Sequence, residues 1–235
     1  MKISKFSKYY INLGKRKDRM IEMENYKKKI PILFDLQRVG AVDGHSIKDL
    51  EQLPYGVTLT SPQKINIKNK GSCIGGMLTH GGLGCALSHR SILEIIIRKK
   101  HEHTMVFEDD ILFTTAFMEK IEKIELPDDY DVFYLGYHSA PNSVKYNEHL
   151  NKCHRIYGTF AMIISLQGAK KIVNELKLFS PLSYTIDTAL YFKIPKEIIN
   201  KYCVKNRKEF IIHNYPDEKN PSNINFLCSK KNVYY

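Results

Sequence analysis

The sequence alternates between short apolar runs, rich in β-branched and aromatic residues, and longer amphipathic stretches. Residues 8–13 (KYYINL) predict a buried strand, and residues 14–30 predict a loop leading into a helix that Pro31 ends. Further strands are predicted at residues 34–42, 104–109, 130–136, 158–165 and 209–213, and further helices at residues 83–100, 116–126 and 166–176. This alternation predicts an α/β fold with a mainly parallel central sheet and flanking helices.

Two segments fall outside the alternation. Residues 54–82 contain many turn-forming residues and no sustained period, which predicts a long loop. Long loops in compact enzymes often shape or cover the site, although a plain surface excursion explains this pattern equally well. Residues 180–192 predict a loop that enters a short helix.

The composition is that of an ordinary globular protein. The chain has 235 residues, of which 43% are hydrophobic and 26% charged, enough for one sizeable domain. No segment approaches the roughly 18 consecutive apolar residues that a membrane-spanning helix needs. The N-terminus lacks the apolar core and cleavage site of a signal peptide. We therefore expect a cytoplasmic protein.

The net charge of +11 favours anionic partners such as phosphorylated substrates, nucleic acid or acidic lipid. Abundant Lys, Ile, Asn and Tyr are also typical of an AT-rich genome, which weakens that argument. The basic residues are spread along the chain and form no nucleic-acid recognition motif, so no specific nucleic acid partner is expected. Peripheral contact with an anionic membrane stays open.

The five cysteines are scattered and form no CxxC pair. This spacing argues against a disulfide framework and against a zinc site. We expect free thiols, as in a reducing compartment.

Three adjacent carboxylates, Glu108, Asp109 and Asp110, lie at the end of the predicted strand at residues 104–109. Side chains two apart on an extended segment project to the same side, so Glu108 and Asp110 face one way and Asp109 the other. Paired carboxylates suit a hard cation, Mn²⁺ or Mg²⁺, which typically bridges to substrate phosphates. The alternative is an acidic turn, but such turns usually lie among Gly, Ser and Asn rather than between apolar runs.

A second polar segment follows the first predicted strand. Asn12 and Leu13 end the strand, and Arg16, Asp18 and Arg19 follow in a loop or first helical turn. The two arginines are fork-shaped donors to phosphate, and the Asn and Asp side chains suit a base or ribose. Taken alone, a solvated helix start explains this segment better.

Single polar residues supply the other candidates. Ser88 and His89 lie near the start of the helix at residues 83–100, where backbone N–H groups attract anions. Asp187 is a candidate general base, and His213 a candidate third metal ligand. A buried, hydrogen-bonded structural role is the alternative for each.

Three of these polar clusters come directly after predicted strands: residues 12–19, residues 108–110 and the segment from Gly136 onward. In open α/β sheets, ligands bind at the carboxyl ends of the strands. We therefore expect the three clusters to converge on one crevice.

With these segments in order, the chain resembles glycosyltransferase family 25, which includes bacterial lipooligosaccharide galactosyltransferases and animal procollagen galactosyltransferases. The matching segments are YYINLGKRKDR, GCALSHRSILE, MVFEDDILF, DVFYLG, GTFAMIISLQGAKKI and YTIDTALY. They span residues 9 to about 191 in the family's order. Each segment is weak alone, and the six in order carry the resemblance.

The resemblance implies a single GT-A-like domain over residues 1–235. Its nucleotide-binding part covers about residues 1–140 and its acceptor-side part about residues 141–235. It implies a UDP-sugar donor, most often UDP-galactose, transfer with inversion, and a glycan or collagen-like acceptor. A catalytically inactive glycosyltransferase-like module, or a basic protein that binds nucleic acid or anionic surfaces, is the alternative.

The resemblance also implies roles for the candidates. Asp110 would hold Mn²⁺ or Mg²⁺, Glu108 would lie nearer the ribose, and His213 would be a further metal ligand. The segment from Asn12 to Arg19 would bind the nucleotide, and the Ser88–His89 pair would lie beside the donor. Apart from the resemblance, Asp187 is the first candidate for the general base and Asp109 is the second.

Overall fold

The computed structural model describes residues 2–175, 178–192 and 198–213. Its centre is an eight-stranded sheet with the strand order β2-β1-β3-β8-β5-β9-β7-β6, and a separate pair joins β4 to β10. The strands are β1 (Ser7–Asn12), β2 (Gln37–Gly40), β3 (His103–Glu108), β4 (Ile111–Phe113), β5 (Val132–Gly136), β6 (Val144–Lys145), β7 (Leu150–Cys153), β8 (Ala161–Ser165), β9 (Lys201–Val204) and β10 (Ile211–His213).

The large sheet is mainly parallel. Strand β1 pairs in parallel with β2 and β3, and β5 pairs in parallel with β9. Strand β8 is antiparallel to both β3 and β5, and β7 is antiparallel to both β9 and β6. Only β8 and β7 therefore run against the other six strands. The predicted α/β fold class with a mainly parallel central sheet is confirmed.

The α-helices are α1 (Lys17–Lys29), α2 (Ser61–Lys68), α3 (His80–Lys99), α4 (Thr115–Lys120), α5 (Leu166–Lys170), α6 (Ile186–Phe192) and α7 (Arg207–Phe210). Helix α3 is the longest. The Thr79 side chain caps it by accepting a hydrogen bond from the Gly82 backbone N–H. Ten of its residues are buried, so it packs one full face on the molecule.

Strands β1 and β3 bring the two polar segments of the sequence together. Both strands are buried along nearly their whole length. Their parallel register places Ile11 opposite Glu108. The next residues along, Asn12 and Asp109, therefore emerge side by side at the carboxyl edge of the sheet, where the predicted crevice lies.

The loop after β2 lies directly against the start of α3. A Cβ atom on Gly44 would come within 1.7 Å of the His80 carbonyl oxygen, and one on Gly84 within 2.5 Å of the Val42 carbonyl oxygen. The Ser88 hydroxyl links the same segments, because it donates to the Gly84 carbonyl oxygen at 2.6 Å and accepts from the Val42 N–H at 2.9 Å. Glycine at these two positions is what permits this close approach.

Most predicted elements are present, with shifted boundaries. Ser165 caps α5, since its hydroxyl accepts from the Gly168 N–H at 2.9 Å. A π-helical turn, Lys171–Glu175, continues α5, and residue 176 of the predicted helix lies outside the described residues. The prediction of a loop over residues 54–82 is wrong at α2. Strands β4, β6, β7 and β9 were not predicted, because such short strands are defined by their pairing partners rather than by a sequence pattern.

The cysteine prediction is confirmed in part. Cys85, Cys153 and Cys203 are free thiols. Cys73 is disulfide-bonded, so the expectation of free thiols throughout is wrong there. The error arises because sequence spacing carries no signal for cysteines that only the folded chain brings together.

Across the part of the chain that the structure describes, none of the helices has the length and apolar character needed to cross a membrane.

Candidate active site

A cavity of about 350 Å³ opens at the carboxyl ends of β1, β2 and β3, beside the start of α3. Its walls come from four segments of the chain. They are Ile11, Leu13, Lys15 and Arg19; Ala41, Val42, Asp43, Gly44 and His45; Gly81, Cys85, Ser88 and His89; and Glu108, Asp109 and Asp110. Two of the three predicted clusters therefore meet here, together with the loop after β2.

Asp109 is buried, and both of its carboxylate oxygens accept hydrogen bonds from other side chains. Its Oδ2 atom accepts a hydrogen bond from Asn12 Nδ2 at 2.6 Å, and its Oδ1 atom accepts one from Arg19 Nη1 at 2.8 Å. Burial raises the pKa of this carboxyl above its ordinary value, although the contacts with Asn12 and Arg19 oppose the rise. Asp109 thus holds β1, α1 and β3 together.

Asp110 is held differently. Its Oδ2 atom accepts a hydrogen bond from Arg19 Nη1 at 3.2 Å, and its Oδ1 atom lies 3.3 Å from His213 Nε2. Burial alone would raise the pKa of Asp110. The contacts with His213 and Arg19 lower it by more than burial raises it, so the net pKa lies below the ordinary value. The carboxylate form is therefore favoured at this position.

Glu108 faces α3 and the segment before β8. Its Oε1 atom lies 3.0 Å from His89 Nε2 and accepts a hydrogen bond from Thr159 Oγ1 at 3.0 Å. His89 is almost completely buried, so it fixes the direction of the Glu108 side chain. Glu108 and Asp110 lie close together, but the prediction that Asp109 faces the other way is wrong, because Arg19 Nη1 contacts both Asp109 and Asp110 and all three carboxylates line the cavity. Strand alternation does not apply here, since β3 ends at Glu108 and the next two residues form a turn.

Glu108, Asp110 and His213 form a group that could hold a metal ion, since their ligand atoms lie within 4.8 Å of one another. Asp110 Oδ1 is buried, and its contact with His213 Nε2 at 3.3 Å lacks the geometry of a good hydrogen bond. A buried carboxylate oxygen held only in this way is costly, and a cation would relieve that cost. Two carboxylates and one imidazole form a donor set that suits Mn²⁺ or Mg²⁺.

Asn12 is buried and serves this network. Its Nδ2 atom donates to Asp109 and to the Arg16 carbonyl oxygen, and its Oδ1 atom accepts from Arg38 Nε at 2.8 Å. Arg38 Nη2 also donates to the Asn12 carbonyl oxygen at 3.2 Å. The amide group of Asn12 is thus engaged within the protein, and a direct contact with a nucleotide stays a prediction.

Arg16 and Asp18 form an exposed ion pair with an Nη2–Oδ2 distance of 2.6 Å, and neither residue lines the cavity. The hydrogen bond from Arg16 lowers the pKa of Asp18 to about 2. Gly136 also lies outside the lining, where a Cβ atom would come within 2.4 Å of the Phe160 ring. Leu13, in contrast, lines the cavity. The nucleotide-binding roles of these four residues are untested.

Asp187 lies at the start of α6, outside the cavity lining. Its Oδ1 atom accepts hydrogen bonds from Thr185 Oγ1 and from the Thr188 N–H, both at 2.8 Å. Burial, then the charges of Glu108 and Asp187, raise the pKa of the Cys85 thiol well above its ordinary value. Cys85 lines the cavity, so Asp187 acts electrostatically on it from the α6 side.

Several residues of the site were not predicted from the sequence. They are Arg38, which holds Asn12; Thr159, which holds Glu108; and Lys15, Asp43, His45 and Cys85 in the cavity wall. The spacing of Cys85 and His89, four apart on one helix face, is a signal that could have linked this thiol to the site. The others carry no local sequence signal.

Comparison of the sequence with known proteins finds a protein family that matches most of the chain. The family model described as "Glycosyltransferase family 25 (LPS biosynthesis protein)" matches residues 6–190. Procollagen galactosyltransferase 2 of Mus musculus is 30% identical over 220 residues, which cover 86% of this chain and 32% of that protein. A probable inactive glycosyltransferase 25 family member 3 of Bos taurus is 31% identical over 180 residues, or 70% of this chain and 28% of that protein. The chain therefore spans about a third of the length of these relatives.

Among solved structures, a glycosyltransferase involved in the glycosylation of the major capsid of PBCV-1 is 8% identical. The match covers 87% of this chain and 95% of that one, with a TM-score of 0.37.

Proposed function

The chain belongs to glycosyltransferase family 25, and we propose that it transfers a hexose from a UDP-sugar to a hydroxyl group. Galactose is the proposed sugar, transferred with inversion to a glycan or to hydroxylysine in a collagen-like chain. The relatives named procollagen galactosyltransferases support the sugar and the acceptor class. The observation that carries the proposal is the cluster of Glu108, Asp110 and His213 beside a cavity at the carboxyl ends of three parallel strands.

The donor diphosphate is proposed to lie at the Glu108 and Asp110 end of the cavity. Glu108, Asp110 and His213 would hold Mn²⁺ or Mg²⁺, which when bound neutralises charge on the departing UDP. Arg19 keeps Asp110 in place, since its Nη1 donates to both Asp109 and Asp110. The remaining wall, from Ala41 to His45, is left for the nucleoside.

Asp187 is the proposed general base. Both hydrogen bonds that it accepts end on Oδ1. Its Oδ2 atom is left to accept the proton of the acceptor hydroxyl, whose oxygen then attacks the anomeric carbon in line with the departing UDP. Inversion needs one such base and no covalent sugar–enzyme intermediate. Asp109 is a poor second candidate, because both of its oxygens already accept hydrogen bonds.

The test is a donor screen that measures UDP release from a panel of UDP-hexoses, with Mn²⁺, with Mg²⁺ and with a chelator. We expect release with UDP-galactose and a divalent ion, and loss of release by at least about 100-fold in Asp110→Asn. Asp128→Asn, at an exposed carboxylate away from the cavity, is the matched control. A folded Asp110→Asn protein with normal turnover would contradict the metal assignment, and no release with any donor would favour the inactive binding module.

Peripheral binding to an anionic membrane is also proposed, because the net charge is +11 and a lipid-linked acceptor would lie at such a surface. Sedimentation with phosphatidylserine vesicles should fall sharply as salt is raised. Equal sedimentation with neutral vesicles would contradict this.

A further inference from the structure

A second group of metal-ligating side chains lies on the α3 side of the cavity. Cys85 and His89 are four residues apart on α3, so both side chains lie on the same face of the helix. Glu108 lies opposite, at the end of β3. Their ligand atoms all lie within 4.8 Å of one another, and His89 Nε2 is 3.0 Å from Glu108 Oε1.

We propose that Cys85, His89 and Glu108 form a site for a thiophilic divalent cation, with Zn²⁺ as the preferred ion. Zn²⁺ takes thiolate, imidazole and carboxylate ligands in tetrahedral geometry, in which the ligand atoms lie about 3.4 Å apart. The observed spacings need adjustments of about 0.4 Å for the His–Glu pair and at most about 1.4 Å for the distances to the Cys85 thiol. Three protein ligands leave the fourth position open toward the cavity, as in sites that exchange ligands.

The site differs in chemistry from the group of Glu108, Asp110 and His213. That group is rich in oxygen and suits hard cations, whereas a thiolate ligand selects softer ions. Glu108 belongs to both groups, so the two sites cannot both use it fully. Hydrogen bonds hold its Oε1 atom toward His89 and Thr159, which is the side of the thiol.

Metal binding at this site changes no oxidation state and requires only the loss of the proton on Cys85. Cys85 carries its proton in the free protein, because burial and the nearby carboxylates disfavour the thiolate. Binding forms a metal–sulfur bond, and the thiol proton leaves to solvent. His89 would bind through Nε2, which must be free of a proton, so its present contact with Glu108 Oε1 gives way to the metal. Binding therefore releases the Cys85 proton to solvent and changes no oxidation state.

Occupation of this site should block the donor cavity. An ion between Cys85 and Glu108 fills part of the wall and draws Glu108 away from Asp110. Zn²⁺ is thus expected to inhibit transfer in competition with the sugar donor. This consequence rests on the proposed function, whereas binding of the ion does not.

The test of binding is titration of the chelator-treated full-length protein with Co²⁺, which reports a thiolate ligand through a charge-transfer absorption in the near ultraviolet. We expect the band in the parent protein and in Asp110→Asn, and its loss in Cys85→Ser. Loss of even an outer partner weakens metal binding 10–100-fold, so loss of a direct ligand should raise the Zn²⁺ Kd at least about tenfold. His89→Gln should also raise it, which keeps the test valid if Cys85→Ser fails to fold.

Absence of the band from the parent protein would overturn the proposal, and so would its persistence in folded Cys85→Ser, since the thiolate would then be another cysteine. If the parent protein shows the band but releases no UDP, the proposed function is refuted and the proposed zinc site is still supported.

Discussion

The end of β3 and the start of α6 both present carboxylates near the cavity, but they hold them in different ways. Asp109 accepts hydrogen bonds from Asn12 and Arg19, which lie 97 and 90 residues away in the sequence. Asp187 accepts from Thr185 and Thr188, within two residues of itself. The carboxylate at the end of β3 is therefore held by residues that are distant in the sequence, whereas the carboxylate at the start of α6 is held by its own turn. Changes in the first should affect stability, and changes in the second should affect chemistry alone.

The largest expected effect is on chemistry, at Asp187→Asn. Asn retains an oxygen that can accept from Thr188 N–H and Thr185 Oγ1, so the local turn should survive. Loss of the base should lower transfer by about 100- to 10,000-fold, with no change in the urea unfolding midpoint. Turnover is measured as UDP release in the presence of acceptor.

The matched control for that variant is Asp49→Asn, which alters an exposed carboxylate that also accepts a local hydrogen bond, from the Glu51 N–H at 2.8 Å. It should leave transfer unchanged. Normal transfer by Asp187→Asn would remove Asp187 from the mechanism, and a lowered midpoint would show that α6 is also part of the tertiary network.

Asp109→Ala should chiefly affect stability. Without the carboxylate, the buried Asn12 amide and the Arg19 guanidinium each lose a partner. We expect a fall of about 2–3 kcal/mol in the free energy of unfolding, measured by urea denaturation. Asp128→Ala, at an exposed position, is the control. An Asp109→Ala protein as stable as its parent would contradict the distinction between the two regions.

At the end of β3, Asp109 and Asp110 should make contributions to the free energy of unfolding that depend on pH with opposite sign. The pKa of Asp109 is raised above 3.8, so the folded state binds more protons, and its contribution to stability falls as pH rises from 3.8 through the raised pKa. The pKa of Asp110 is lowered, so its contribution is present above 3.8 and is lost as pH falls through the lowered pKa. Each slope is limited to about 1.4 kcal/mol per pH unit.

The measurement is urea unfolding of metal-free parent, Asp109→Asn and Asp110→Asn proteins from about pH 3 to pH 6. The stability advantage of the parent over Asp109→Asn should shrink with rising pH, and its advantage over Asp110→Asn should grow. Parallel curves for the two variants would refute the assignment.

The smallest effect is expected at Arg16→Gln. Among the described residues, the ion-pair partner of Arg16 is exposed Asp18, and exposed ion pairs contribute little to stability. The urea midpoint should not shift measurably. In Arg19→Gln, by contrast, Asp109 and Asp110 both lose a charged donor, and the midpoint should fall. Equal midpoints for the two variants would show that the greater burial of Arg19 adds nothing to stability.

The sequence was informative where a pattern is local. Short apolar runs rich in β-branched and aromatic residues predict β1, β3 and β5, because these strands are buried along nearly their whole length. Helical periodicity predicts α3, because one face of that helix is buried. The side-chain alternation predicted for residues 108–110 fails, because β3 ends at Glu108 and Asp109 shares Arg19 Nη1 with Asp110. Short strands such as β6 carry no such pattern.

The partners of the site could not be predicted in the same way. The sequence suggests Asn12 and Arg19 as ligands of the nucleotide, which stays a prediction, and the structure adds a contact from each to Asp109 that residue type did not reveal. Phosphate and carboxylate attract the same donors, so residue type alone does not distinguish a substrate contact from an internal one. Arg38 lies in β2 with no local signal, and only the parallel pairing of β1 with β2 brings it to Asn12.

The contact between the loop after β2 and helix α3 has a consequence for altering donor preference. At Gly44 and Gly84 the two walls of the cavity meet main chain to main chain, without a side chain between them. The separation of the walls there is thus independent of the choice of lining residues. If the nucleoside binds as proposed, exchanges at Asp43 or His45 would change which nucleoside is favoured, whereas a bulkier donor would require a different backbone.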